Sequence, residues 1–525
     1  MFARCLPAWN TRDTFVAEVP HGRVHAEAPP PVARRLVWVV VDGLTYDVAA
    51  DTETILPIAD AGVMRPMAAA FPTFTAGGIA SMFTGQSPRE SGVRLNGATV
   101  GAPDLDDVLH AAEDAGIAVR VHARDYPPFV ELVRAPARAH VSHGHLPILV
   151  DAAGWAVEPE HPREVDAIHF GEVDDRGHDA GSASPGYREA ALHAGVFLQR
   201  LTASLDPSSD VLIAVSDHGH RADGGHGGIE EGVRRACFLA WGASIRRGVV
   251  LPERPLRDVA ATATMLLGAH TPSSNMGAPM LDILDVPAAE RAARLAEPFE
   301  QLVRYDCTQA PDLAACADAA AARDGLARGD DAEAERVLQA LTGSLDARRD
   351  ADQRAGSTTR AIVGVLIGVA LLALGSLARP SRKALVALPF VAIGPYVSLL
   401  LAMGYLPTLS KMTATTVFAG DAAWAAALPL PLVAFVAARH ALGVAEVIWL
   451  EAVGLAIVVP LLVWAGANPR ETFDPLAGVL IFQLSPIALL TAVSGAVIVL
   501  TRAIRLARRA RSARLRAPAP RSSRR

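Results

Sequence analysis

Beyond Arg360 the chain is built from apolar runs that a water-facing surface does not accommodate. "AIVGVLIGVALLALGSLA" begins at Ala361 and "ALVALPFVAIGPYVSLLLAMGYL" at Ala384. "DAAWAAALPLPLVAFVAA" begins at Asp421, "VIWLEAVGLAIVVPLLVWAGA" at Val447 and "PLAGVLIFQLSPIALLTAVSGAVIVL" at Pro475. As helices rising about 1.5 Å per residue, such runs reach across a hydrocarbon core of about 30 Å. Their Pro and Gly residues are tolerated in spanning helices. Five spans are therefore expected over 360–501, followed by a tail over 502–525 with many Arg and no acid. A basic segment directly behind an apolar one is the cytoplasmic flank of a membrane protein rather than a nucleic-acid arm.

The rest of the chain is of ordinary globular composition, so the overall hydrophobic share of 51% is concentrated in the last third. "RRLVWVVVDGL" (Arg34 to Leu44) is a continuous apolar run with an Asp-Gly stop, the pattern of a strand buried on both faces. "VDAIHFGEVDD" and "DVLIAVSDHGH" repeat the theme, with acid and histidine at the carboxyl end. "DLDDVLHAAEDAGIAVRVHA" is a helix followed by a strand, and "PLRDVAATATMLLGA" is a further helix. Strands alternating with helices predict an α/β domain on a mostly parallel sheet, whose ligands sit beyond the carboxyl ends of the strands. The expected organisation is a leader over 1–33, the α/β domain over 34–286, an Ala-, Arg- and acid-rich helical connector over 287–359, then the membrane region and the tail.

The chemistry-bearing residues gather at those strand ends. Asp42 closes "VVVDGL", and Asp174 and His178 stand in "DDRGHDAG". Asp217 and His218 are adjacent in "AVSDHGH", His226 lies in "DGGHGG", and Thr75 is the second Thr of "FPTFTAGG". Singly, each has a plain reading: a strand-ending Asp as a helix cap, a glycine-flanked His as a solvated loop residue. Together they offer mixed nitrogen and oxygen donors sufficient for two divalent cations, zinc or manganese. None of Cys5, Cys237, Cys307 and Cys316 forms a CxxC pair, so a cysteine zinc site is not expected.

This set resembles the alkaline phosphatase superfamily, in its type I phosphodiesterase/nucleotide pyrophosphatase branch, over roughly Arg34 to Leu284. "SDHGHRADGGHGG" and "DVAATATMLLGAHTPSSNMGAPML" are most similar to the ethanolamine phosphate transferases that decorate glycosylphosphatidylinositol. The resemblance implies an alkaline-phosphatase-like sheet flanked by helices and a two-metal site. Asp42, Thr75, Asp217 and His218 would hold one ion, and Asp174, His178 and His226 the other. Thr75 would be the nucleophile, preferred over Thr73 because it stands ten residues before the Gly of "TG", as in the branch that the chain resembles. Gly78, three residues on, offers no side chain to a phosphoryl oxygen, so backbone N–H groups at the start of the following helix would have to help.

The function this implies is a membrane-anchored, metal-dependent phosphotransferase or phosphodiesterase. It would work through a phosphothreonine on a phospholipid head group or lipid-linked glycan. One alternative is an anchored phosphatase or phosphodiesterase that hydrolyses soluble phosphate esters. Another is a non-catalytic membrane transport or assembly protein, to which only Glu446 and Glu451, near the start of the fourth run, point. With the basic tail and the loop "RPSRK" (Arg379 to Lys383) both cytoplasmic, five spans place the α/β domain outside the cytoplasm. In that compartment the spacing of Cys307 and Cys316 permits a short disulfide-closed loop, with two free thiols as the alternative. The opening "MFARCLPAWNTRDTFVAEVPHG" lacks an apolar targeting core, so a signal anchor upstream of it is expected.

Overall fold

The computed structural model describes residues 27–94, 96, 106–124, 140–142, 162–273, 275–309, 312, 314–406, 408–411, 415–465, 480–481 and 483–516. Most of the leader, the first residues of the fifth apolar run and the end of the tail lie outside them. The chain divides into two compact units, Met1–Ala351 and Asp352–Arg525.

The first unit is organised by a mixed sheet. Its strands are β1 (Arg35–Val41), β2 (Val63–Ala68), β3 (Ala118–Arg124), β4 (His140–Ser142), β5 (Glu164–Phe170), β6 (Asp210–Val215), β7 (Arg235–Gly242), β8 (Val249–Val250) and β9 (Arg254–Pro255). Their spatial order is β4-β3-β5-β1-β6-β7-β2-β8, with β9 also paired to β2. β1 lies parallel between β5 and β6, with Val41 opposite Phe170 and Val40 opposite Val215. Three carboxyl ends therefore meet at one edge. β7 runs antiparallel to both of its neighbours, which makes the sheet mostly rather than wholly parallel.

Helices cover both faces. They are α1 (Thr75–Thr84), α2 (Val108–Asp114), α3 (Glu172–Ala180), α4 (Pro185–Ser204) and α5 (Asp258–Leu267). Alternate β1 residues point to opposite faces, so Leu36, Trp38 and Val40 join one core and Val37, Val39 and Val41 the other. Trp38 stacks on Phe83 of α1 at 4.0 Å, fixing that helix over the sheet. α6 (Ala288–Gln309) and α7 (Ala314–Ala327) continue the unit, and a disulfide between Cys307 and Cys316 joins the two helices.

At the amino ends of the strands the sheet buries charge in paired form. Arg35 reaches Asp166 at 2.6 Å and Glu164 at 3.0 Å, while Arg120 reaches Asp166 at 2.7 Å and Glu164 at 2.8 Å. Burial alone raises the Asp166 carboxyl. Hydrogen bonds from His122 and Arg120 and the charges of Arg35 and Arg120 outweigh it and hold the group at about 2.

The boundary between units falls within α8 (Ala332–Ser376). The second unit continues with α9 (Arg382–Ala402), α10 (Thr415–Ala427), α11 (Pro429–His440), α12 (Val444–Ala465) and α13 (Pro486–Arg516). Among the described residues, five segments are long and apolar enough to cross a membrane: Gly356–Ser376, Arg382–Ala402, Gly420–His440, Val444–Trp464 and Pro486–Ala513. The third is divided between α10 and α11 at Leu428, because Pro429 has no N–H to continue the ladder. Two polar side chains inside this unit donate to backbone carbonyls, Tyr396 to that of Gln483 at 2.8 Å and Gln483 to that of Thr408 at 2.7 Å. Glu446 accepts from the Gly443 N–H at 2.9 Å and the Ser381 N–H at 3.2 Å, so it caps the start of α12 and the turn before α9. Glu451 meets the Thr491 hydroxyl at 3.3 Å.

Candidate metal centre

Asp42 and Asp217 follow β1 and β6, and the Asp42 N–H is tied to the Phe170 carbonyl at the end of β5. Asp174 and His178 occupy α3 rather than a loop at the end of β5. Four residues apart on a helix they share a face, with His178 Nε2 3.3 Å from Asp174 Oδ2. His226 arrives on a loop in which Gly224, Gly225 and Gly227 have φ of +97°, +89° and +112°. Side chains disfavour that region, and the turns it permits bring the imidazole back to 3.1 Å from His178 Nε2.

Thr75 is the first residue of α1, buried, with its Oγ1 3.2 Å from His218 Nε2. The same Nε2 lies 3.4 Å from Asp42 Oδ1 and 3.3 Å from Asp217 Oδ2. Thr73 is committed elsewhere. Its hydroxyl donates to the Gly228 carbonyl at 2.8 Å and accepts from the Gly227 N–H at 3.1 Å. Of the two threonines, only Thr75 turns its hydroxyl toward the carboxylates.

Among the described residues, two groups of donors that share His218 could hold a metal ion, Asp42, Asp217 and His218 in one and Asp174, His218, His220 and His226 in the other. Donors at about 2.0–2.1 Å from one tetrahedral ion stand roughly 3.4 Å from each other. One set comprises Thr75, Asp42 and Asp217 around His218, at 3.2–3.4 Å. In the other, His178 Nε2 lies 3.1 Å from His226 Nε2 and 3.3 Å from Asp174 Oδ2, while His226 Nε2 lies 3.6 Å from the other oxygen, Asp174 Oδ1. His218 and His220 also offer donors within 4.8 Å of Asp174 and His226. Asp42 Oδ1 and Asp217 Oδ2, the oxygens that face His218, are buried with no hydrogen-bond partner among the described residues. A buried carboxylate without a partner is costly, and a divalent cation between these atoms would satisfy both.

Electrostatics agree. Burial, then the charge of Asp217, pushes the Asp42 carboxyl well up, and burial with the charge of Asp174 pushes Asp217 up to about 7. Crowded anions of this kind ionise together only beside positive charge. Burial drives His218 down to about 3 and His226 well below the usual range, which leaves neutral imidazoles, the form that binds metal. For Asp174, burial is opposed by hydrogen bonds from His178 and His220, and the carboxyl stays well below the usual range.

Among the described residues, three further side chains enter the site that the motif reading does not assign. His169 Nε2 lies 2.9 Å from Asp42 Oδ2, and His220 Nε2 lies 2.7 Å from Asp174 Oδ1. Asn96 accepts from the Ala76 N–H at 2.9 Å and directs its amide nitrogen to Thr75 Oγ1 at 3.5 Å. It supplies a polar amide beside the hydroxyl that Gly78 cannot. A Cβ on Gly78 would lie 2.6 Å from the Asp217 carbonyl oxygen, so α1 approaches that strand end too closely for any side chain there.

Residues 36–141 match the family of type I phosphodiesterases and nucleotide pyrophosphatases. The resemblance to that branch stands. No curated protein matches the chain. Among solved structures, murine ectonucleotide pyrophosphatase/phosphodiesterase 5 is 14% identical, covering 45% of this chain and 95% of its own at a TM-score of 0.39. The human form is 13% identical, covering 48% and 100% at 0.40. A putative sulfatase from Bacteroides thetaiotaomicron is 14% identical, covering 49% and 75% at 0.40. The family match, with five apolar helices, supports a phosphoester-acting enzyme associated with a membrane. A preference for glycosylphosphatidylinositol is not distinguished by these likenesses.

Proposed function

We propose that the chain is a membrane-anchored, metal-dependent phosphotransferase or phosphodiesterase that uses Thr75 as its nucleophile. Its substrate is a phospholipid head group or a lipid-linked glycan. The observation that carries this reading is the convergence of Thr75 Oγ1, Asp42 Oδ1 and Asp217 Oδ2 on His218 Nε2 at 3.2–3.4 Å. Two divalent cations, zinc or manganese, held by Asp42, Thr75, Asp217 and His218 and by Asp174, His178 and His226, would lower the hydroxyl's pKa and offset charge on the phosphoryl and leaving oxygens.

The chain's own groups supply the remainder. Thr75 stands at the amino end of α1, where the helix dipole favours an anionic phosphoryl group. The Asn96 amide is placed to donate to a non-bridging oxygen once the ester is bound. Thr75 Oγ1 loses its proton and bonds to phosphorus as the ester oxygen departs in line and takes up a proton. Water or an acceptor alcohol then attacks the phosphorus, breaking the Oγ1–P bond and returning the Thr75 hydroxyl. His178, about a third exposed where His218 and His226 are buried, marks the side from which substrate enters.

A catalytic unit tied to five spans suits a substrate that is itself in the bilayer. The basic composition of the C-terminal tail and of the "RPSRK" loop supports a cytoplasmic side for both and an outer side for the catalytic unit. Mass spectrometry of lipids and glycans from cells with and without the gene tests the reading. A lipid or glycan that changes by one phosphoryl-linked head group supports it. Unchanged lipids and glycans, with turnover of soluble esters alone, would replace it with the anchored hydrolase.

A further inference from the structure

His220 lies two residues beyond His218 and outside the seven side chains of the candidate centre. Its ring is 1% exposed, and its Nε2 sits 2.7 Å from Asp174 Oδ1. That is a hydrogen-bond length, shorter than the roughly 3.4 Å between two ligands of one tetrahedral ion. Ionised Asp174 carries no proton, so the proton in this contact resides on Nε2. His220 Nδ1 is buried without a partner among the described residues, so Nε2 is the ring nitrogen engaged in the contact.

The ring's place is cut out of the backbone. A Cβ on Gly177 of α3 would lie 2.4 Å from His220 Nε2 and Cδ2, and one on Gly43 would lie 3.0 Å from Cδ2. Both chain segments therefore close on the imidazole and hold its edge against Asp174. Oδ1, held at 2.7 Å by His220, also stands 3.6 Å from His226 Nε2, and Oδ2 is the oxygen left to face His178 at 3.3 Å. Asp42 shows the same division, its Oδ2 engaged by His169 at 2.9 Å and its Oδ1 facing His218 at 3.4 Å.

We propose that His220 is a positioning residue: its Nε2–H fixes the Asp174 carboxylate so that Oδ2 is presented to the ion shared with His178 and His226. This rests on the metal-centre reading above. The competing role is direct ligation, since Asp174, His218, His220 and His226 also offer donor atoms within 4.8 Å of one another. Outer partners of this kind, when removed, weaken a metal site by about 10- to 100-fold.

The test is zinc titration of the purified full chain in detergent against a chromophoric chelator, for the wild type, His220→Leu and His220→Gln. Wild type is expected to bind two ions. His220→Leu should weaken one of them about 10- to 100-fold and leave the other within about threefold, which also reports an intact fold. Gln carries an amide nitrogen near the place of Nε2 and should restore the affinity to within about threefold. Wild-type affinity in His220→Leu would show that the ring only fills space and would overturn the proposal. Gln as weak as Leu would make His220 a ligand, because an amide replaces a donor far better than a zinc ligand. A wild-type chain that binds no zinc would sink the metal centre itself, a result distinct from either.

Discussion

Gly78→Ala is a substitution on which helix propensity and packing give opposite answers. Gly78 is interior to α1, where Ala is ordinarily favoured over Gly by about 1 kcal/mol. The structure reverses the sign. The added Cβ would stand 2.6 Å from the Asp217 carbonyl oxygen, 2.8 Å from its Cβ and 3.0 Å from its carbonyl carbon. Two of these atoms are backbone at the end of β6, so no rotamer change relieves the contact. Overpacking of this type costs about 1–3 kcal/mol, enough to cancel or exceed the propensity gain. Relief requires α1 and the end of β6 to separate, which pulls Thr75 from Asp217 and His218. A displacement approaching 1 Å at reacting groups costs on the order of 100-fold in rate. The assays are thermal unfolding of the purified chain and turnover of an activated phosphodiester. A midpoint that is unchanged or lower by a few degrees, with turnover down on the order of 100-fold, is expected. A more stable variant with undiminished turnover would refute the close approach of α1 to the site.

His178→Ala and His226→Ala should each lower the metal content of the purified protein as well as its rate, and unchanged stoichiometry in either removes that residue from the centre. Asp166 makes stability pH-dependent. Its folded carboxyl at about 2 lies below the ordinary 3.8, so its contribution is complete above pH 4 and is lost as the pH falls toward 2. Between pH 5 and 2 the stability advantage of wild type over Asp166→Asn should shrink by about 2 kcal/mol in denaturant titrations, and a constant difference would contradict the pairing. Cys307 and Cys316 should resist alkylation until reduced, which mass spectrometry of the native protein reads directly, and two reactive thiols there would be the contrary result.

Much of the architecture was readable because buried parallel strands write themselves as continuous apolar runs. The runs ending at Asp42 and Asp217 are β1 and β6, and their polar ends do meet on one edge. Direction was not readable. The residues of β7 are as apolar as those of a parallel strand, and only its pairing with β6 and β2 reveals the reversal. "DDRGHDAG" has a loop composition, yet it folds as α3, with Gly177 making room for the His220 ring. The motif residues were visible because several lie within a few positions of one another. His169, His220 and Asn96 were not assigned, although "SDHGH" displays His220 openly. Their parts come from contacts at sequence separations of 127, 46 and 21 residues, which no local pattern carries.

The central claim is that Thr75 takes the phosphoryl group. Acid-quenching the purified protein during turnover of a phosphodiester, followed by peptide mass spectrometry, reads this directly. The account predicts a phosphate on the peptide containing "FPTFTAGG", located at Thr75 and absent in Thr75→Ala, whose turnover is lost while its fold is kept. Sustained turnover by Thr75→Ala, or a phosphate on Thr73 instead, would contradict it.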